Sequence, residues 1–412
     1  MSETLGRDGR RYVIDLPFPK GLPYGDALQF LREPEATDRR PVLIAHVDSG
    51  LAPHPGIGWT DTAPPAHILW NLGVNFHDPA DPANPEASRP LAPIRRPKGI
   101  DGVLSYPDHG VKTLSALIGP GPTALGPGLR GVAPGARVIP YRVADGPLFR
   151  HGRGPALPRR ATEAMGRAIR HALAHAPDLG VVTVSMGNPG ALGLLDIPRW
   201  MLGGETAMSP EAAAAIDAAY EAGVITVCAG GQVVNEIVYP AKYARTVAVG
   251  GYDRRGADAV HYPQGGYRDG NWDAVIDVWA QAERINRAGY DFEPDGRPVP
   301  VHAASQQAPG PPSGTSYACP QVAGAAALWL AWWQPDLDAA FGPPGAPERW
   351  RVVESFRRAL RRSALRQDVL LRATGSRATR RVRVLDIAAL LGRPPETEGL
   401  TKAVRAVDQG PF

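Results

Sequence analysis

Short apolar runs separated by polar, Pro- and Gly-punctuated stretches set the rhythm of this chain. Residues 42–47 (Val-Leu-Ile-Ala-His-Val), 137–143, 181–185, 224–228, 246–250 and 275–280 have the length of strands. They are apolar enough to be covered on both faces, as in a parallel sheet. Helical spacing falls between them, at Leu114, Leu117 and Ile118, then at Met165, Ile169, Ala172 and Leu173. A further helix opens at Ser209-Pro210-Glu211 with a capping pattern, runs to about Glu221 and is closed by Gly223. Residues 323–333 are too apolar for a surface helix and predict a buried one, whereas 348–363 predict a basic amphipathic helix with a solvated outer face. A short strand near 382–384 and a helix at 387–391 follow. This alternation predicts an α/β fold: a doubly wound, mostly parallel sheet with helices on both faces, in three layers. The body spans residues 41–395. Before it lies a polar arm, residues 1–40, with one helical patch near 26–33; after it comes a tail, 396–412. Two Pro-rich stretches near 52–100 and 281–312 read as long surface loops, and no internal repeat is visible.

Composition narrows the function classes. At 412 residues, 43% hydrophobic and 21% charged, the chain has the balance of a globular protein with a large core. The net charge of +4 is spread along the sequence without a basic stripe, which argues against nucleic acid as a partner. No apolar run reaches the roughly 18 residues of a membrane span. The first residues lack the apolar core of a secretory signal, so a cytoplasmic location is expected. Cys228 and Cys319 sit inside apolar segments and read as small core residues in a reducing compartment.

Candidate chemistry collects at strand ends and helix starts. The stretch Ser313-Gly314-Thr315-Ser316-Tyr317-Ala318-Cys319-Pro320-Gln321-Val322-Ala323-Gly324-Ala325 turns tightly and enters an apolar helix, presenting Ser316 where negative charge is stabilised. Asp48 ends the 42–47 strand, at the edge where open α/β sheets carry their sites. His109 opens the helix of residues 108–119, with Lys112 one turn on and expected to face solvent. Taken singly, Ser316 could be a helix cap and Asp48 a turn former. Together they supply a hydroxyl, a base to take its proton and a carboxylate to hold that base. His54, His67 and His77, scattered among Asp61, Asp78 and Asp81, follow no metal-ligand spacing and read as parts of a solvated loop.

These segments resemble the subtilase family of subtilisin-like serine peptidases. The resemblance is carried by Val47-Asp48-Ser49-Gly50, by His109-Gly110, and by Gly314-Thr315-Ser316-Tyr317-Ala318-Cys319-Pro320 continued in Val322-Ala323-Gly324. Gly131-Val132-Ala133-Pro134, Ser185-Met186-Gly187 and Tyr239-Pro240-Ala241-Lys242-Tyr243 support it. It implies a serine endopeptidase of the intracellular bacterial type, working through an acyl-enzyme. Ser316 would be the nucleophile, His109 the general base and then acid, and Asp48 the group that orients His109. A polypeptide substrate would pair as an extended strand with Ser185, Met186 and Gly187. One of its side chains would enter a pocket walled by those residues and by Ala229, Gly230 and Gly231, with Val238 near the floor. The family's oxyanion-hole Asn falls at Gln232, an amide one methylene longer. That departure leaves an alternative, a peptide-binding pseudo-peptidase with weak turnover. Val111 and Lys112 also depart from the Thr and His that often follow His-Gly in the family. The arm could be a short inhibitory extension, with Leu22-Pro23-Tyr24 as its contact. No cofactor is required for the chemistry; structural calcium is common in the family, with no ligands assignable here. The oligomeric state is left open.

Overall fold

In a computed structural model the apolar runs come together as one sheet. The structure describes residues 2–16, 23–60, 63–78, 88–96, 107–146, 158–187, 208–231, 237–255, 258–261, 275–305, 314–370 and 379–410. Strands β1 (Glu3–Leu5) and β2 (Arg11–Val13) and helix α1 (Tyr24–Arg32) form the arm. The body begins with β3 (Leu43–Asp48), β4 (Val74–Asn75), α2 (His109–Ile118), β5 (Val138–Arg142), α3 (Pro158–His175), β6 (Leu179–Val184), α4 (Pro210–Glu221) and β7 (Ile225–Ala229). It continues through β8 (Val247–Arg255), β9 (Asp258–His261), β10 (Val278–Gln281) and the hairpin β11 (Ala288–Phe292) and β12 (Pro298–His302). Then follow α5 (Thr315–Trp332), α6 (Gln334–Phe341), α7 (Trp350–Ser363), β13 (Leu365–Leu370), β14 (Thr379–Val384) and α8 (Ile387–Leu391).

The sheet runs β10-β14-β13-β9-β8-β7-β6-β3-β5-β4 and is parallel from β4 to β8. Antiparallel pairs occur between β8 and β9 and between β13 and β14, and β10 returns to pair with β8. From β3 the chain sets β4 at the sheet edge and fills β5 in between, then crosses back to place β6, β7 and β8 on the other side of β3. Winding therefore reverses between β3 and β6, which makes the crevice beyond their carboxyl ends the expected place for a site.

Alternation along the strands feeds two cores. Ile44, Val181, Ile225 and Val227 face the layer of α1, α2, α5 and α7, while Ala45, Val47, Val182, Val184 and Cys228 face α3 and α4. Helix α5 is buried over nearly its whole length because sheet, α1 and α2 surround it. It starts at Thr315, eight residues before the apolar stretch that signalled it. Pro320 therefore lies past the first turn, and the Ser316 carbonyl has no N–H to accept from at that position. Helix α4 opens as expected, with Ser209 Oγ accepting from Ala212 N at 3.2 Å.

One expectation needs correcting. Residues 281–312 are not a structureless loop: β11 and β12 pair in register from Ala288↔His302 to Phe292↔Pro298 and cover α2. Strands β9 and β13 carry no strand signal in the sequence, because Arg and Asp interrupt their apolar pattern. The tail is tied into the body, with the Asp217 carboxylate accepting from the N–H groups of Ala406 (2.8 Å) and Val407 (3.2 Å).

The arm is likewise part of the core. Val13, Leu16, Ala27 and Leu31 are buried in the main cluster, and Val13 exchanges backbone bonds with Arg284 and Asn286. Phe30 of α1 stacks on Trp332 at 5.7 Å, at the end of α5 remote from Ser316. Leu31→Ala should therefore cost about 2–5 kcal/mol. Urea unfolding checks this; a loss below about 0.5 kcal/mol, the usual limit for surface changes, would mean that α1 is peripheral.

Candidate active site

Ile44, His46 and Asp48 alternate onto the same face of β3, so Asp48 ends the strand pointing toward α2. The carboxylate has no exposure to solvent and is satisfied from three sides. Its Oδ1 accepts from Ser49 N at 2.7 Å and from His109 Nδ1 at 2.7 Å, and its Oδ2 accepts from the Thr113 hydroxyl at 3.0 Å. Burial works to raise this carboxyl, but His109 by charge and hydrogen bond, His46 by charge, and the Ser49 N–H bring it below its ordinary value.

Helix α2 is held against the Asp48–Gly50 turn by a contact that only glycine permits. A Cβ on Gly110 would lie 2.2 Å from the Gly50 carbonyl oxygen. Gly110 N donates to Ser49 Oγ (2.9 Å), and Ser49 Oγ donates to the Pro107 carbonyl (2.8 Å). The helix start that carries His109 is thereby clamped to the strand end that carries Asp48.

Ser316 is the second residue of α5, where backbone N–H groups have no intrahelical acceptor. Its Oγ donates to the Ser185 carbonyl at 2.8 Å. Val47 and Val184 are register partners on β3 and β6, so Ser185 and Asp48 lie one residue further on, about one strand spacing of 4.8 Å apart. Asp48, His109 and Ser316 thus converge at the carboxyl ends of β3 and β6. Among the described residues no hydrogen bond joins Ser316 to His109.

Several of the residues expected to wall the pocket pack together. Gly231, at φ +91°, donates its N–H to Thr315 Oγ1 (3.2 Å), and Val238 N donates to the Gly230 carbonyl (3.0 Å). Val238 is pressed between both walls: a Cβ on Gly187 would lie 2.3 Å from one of its methyls, and a Cβ on Gly231 2.6 Å from the other. Gln232 lies outside the described residues. So does Leu22, the first residue of the Leu22-Pro23-Tyr24 segment.

Lys112 does not face solvent. It is 2% exposed, with Nζ 2.7 Å from Asp108 Oδ1. Burial pushes its pKa down to about 8; Asp108 opposes that shift and Arg287 adds to it. The reason is the β11–β12 hairpin, which covers one face of α2 and completes its burial; Ala288 N donates to Ser115 Oγ at 3.1 Å.

The insertion's histidines do not form a ligand set, and among the described residues no group of three or more His, Cys, Asp or Glu could hold a metal ion. His54 is buried under the hairpin, Nε2 lying 2.9 Å from the Gly289 carbonyl and its ring edge-on to Tyr290. Both cysteines are buried and free, and burial pushes the Cys319 thiol up to about 12. No helix among the described residues is long and apolar enough to cross a membrane. Sequence reasoning overlooked Thr113 and Ser49 as partners of Asp48. The available signal was their spacing, four residues after His109 and one after Asp48.

With this geometry in place, comparison with known proteins is direct. A sequence model of the subtilase family matches residues 41–376. No curated protein matches the chain in sequence. Among solved structures, a protease from Pseudoalteromonas arctica is 19% identical at a TM-score of 0.53, over 90% of this chain and 98% of that one. Fervidolysin from Fervidobacterium pennivorans, a keratinolytic enzyme related to subtilisin, is 18% identical at a TM-score of 0.49. That alignment covers 87% of this chain, which spans only 43% of the fervidolysin chain.

Buried neutral histidines give the stability a definite pH dependence. Burial brings His46, His54 and His302 down to about 4, aided by His109 at His46 and by His302 at His54. Below the ordinary histidine value of about 6.5 the unfolded chain binds protons that the folded protein refuses until about pH 4. Stability should therefore be lost as pH falls through that window, by up to about 1.4 kcal/mol per pH unit for each histidine. Urea midpoints at pH 7, 6 and 5 check it; an unchanged midpoint would contradict the assignment.

Proposed function

The chain belongs to the subtilase family of peptidases, and on that premise we propose that it is a serine endopeptidase using Ser316, His109 and Asp48. The observation that carries the reading is the 2.7 Å bond between the buried Asp48 carboxylate and His109 Nδ1, one strand spacing from the carbonyl on which Ser316 rests. An imidazole held through Nδ1 keeps Nε2 as its basic nitrogen.

At rest the Ser316 hydroxyl donates to Ser185; in the reaction it turns about χ1 toward His109 Nε2. The imidazole takes the proton as Oγ adds to the scissile carbonyl carbon, and Asp48 stabilises the imidazolium. Negative charge on the carbonyl oxygen meets the Ser316 N–H at the positive end of α5, with the Gln232 amide as second donor. His109 then passes its proton to the leaving amine. Water hydrolyses the acyl-enzyme by the same route in reverse.

An extended polypeptide pairs with the backbone after β6, at Ser185, Met186 and Gly187, and main-chain bonds supply most of its affinity. Val238, packed against Gly187 and Gly231, favours a small side chain before the scissile bond.

A fluorophosphonate should label the folded protein stoichiometrically, and Ser316→Ala should abolish the labelling. A folded wild type that takes no label would leave a peptide-binding module in place of an enzyme. For the pocket, Val238→Gly should raise the kcat/KM ratio of Phe over Ala substrates by at least about 10- to 200-fold, the range for a single methylene of pocket space. An unchanged ratio would place the specificity pocket elsewhere.

A further inference from the structure

A second histidine stands behind the Asp48 carboxylate. His46 occupies a core-facing position of β3, two residues before Asp48, and is 1% exposed. A buried polar side chain on an otherwise apolar strand face needs a physical reason. Its Nε2 lies 2.9 Å from Thr113 Oγ1 and 3.9 Å from Asp48 Oδ2. The first is a hydrogen bond; the second is too long for one, so Thr113 bridges the pair.

The proton count fixes the direction of this bridge. The Thr113 hydroxyl has one hydrogen and two acceptors in reach, Asp48 Oδ2 at 3.0 Å and the Gly110 carbonyl at 3.2 Å. If His46 Nε2 were unprotonated it would be a third, and Asp48 Oδ2 could lose its only donor among the described residues. With the proton on Nε2, His46 donates to Thr113 Oγ1 and leaves the hydroxyl hydrogen for the carboxylate. His46 Nδ1 is buried without a partner. A lone pair is better tolerated there than an orphaned N–H, which again puts the proton on Nε2.

We propose that His46 is a positioning residue of the peptidase reaction, acting through Thr113 to fix the Asp48 carboxylate against His109. The proposal rests on the triad reading above and adds to it a relay His46 Nε2–H, Thr113 O–H, Asp48, His109. His46 touches no substrate. It keeps Asp48 Oδ2 supplied with a donor, so that Oδ1 stays directed at His109 Nδ1 while the imidazole gains and loses its proton. The groups facing His46 are Asp48 on its own strand, Thr113 and His109 from α2, and its register partners Pro140 on β5 and Thr183 on β6. Burial keeps the ring neutral, with a pKa near 4, so the relay is intact throughout the neutral range.

The test joins kinetics to a direct view of the proton. In 15N NMR of the wild type, His46 should show a protonated Nε2 and a bare Nδ1; the opposite tautomer overturns the proposal. His46→Val should lower kcat on a peptide substrate about 10- to 100-fold, the scale of one hydrogen bond to a charged group, with KM unchanged. Its thermal midpoint should hold or rise, since a buried polar group has been removed. His46→Gln, which keeps a donor near the Nε2 position, should recover most of the lost kcat. Combined with Thr113→Val, His46→Val should add no further loss, because both act through one bond. Unchanged kcat in His46→Val, or a folded His46→Gln as slow as His46→Val, overturns the role. Wild-type protein that takes no fluorophosphonate label overturns the peptidase reading and this proposal with it; a labelled wild type with unaltered His46→Val kinetics overturns this proposal alone.

Discussion

A negative charge with no access to water lies at the centre of this molecule. Asp48 can stay ionised in the interior only if donors surround it, because an unpaired buried carboxylate would rather take a proton. Those donors come from two elements. Ser49 continues the strand; His109 and Thr113 lie one helical turn apart on α2. Keeping the charge therefore requires α2 to start within contact of the strand end, and the close approach of Gly110 to the Gly50 carbonyl is how the backbone meets that need. The reversal of winding between β3 and β6 then brings the start of α5 to the same edge.

Much of this was legible in the sequence because the body obeys local rules. Apolar runs long enough for strands, ended by Asp48, by Ser185-Met186 and by Ala229-Gly230, marked the parallel sheet and its functional edge. Small-residue and capping signals marked α4 and α5. Illegible were the elements whose burial is decided by partners distant in sequence. The β11–β12 hairpin alternates weakly and contains Pro298 and Pro300, so its pattern resembles a loop; only its position over α2 makes it structure. With the hairpin reading as a loop, Lys112 reads as solvated. His46 is hidden for the opposite reason: it sits inside the apolar run of residues 42–47.

Lys112 and Asp108 are a second buried pair beside the first, on the same helix turn as His109. A lysine at 2% exposure is costly to keep charged, and its depressed pKa reflects that. The start of α2 thus carries both ionic arrangements, one turned to the strand end and one to the hairpin. The geometry of His109 depends on both coverings staying in place.

The N-terminal arm meets the body at residues 284–286, and four positions before Asn286 the Ala282 carbonyl accepts from Gly314 N at 2.7 Å. The first strands therefore bear on the segment that holds Gly314, two residues before Ser316. Unpinning those strands would release residues 284–286, and with them the support behind the carbonyl that holds the entry to α5.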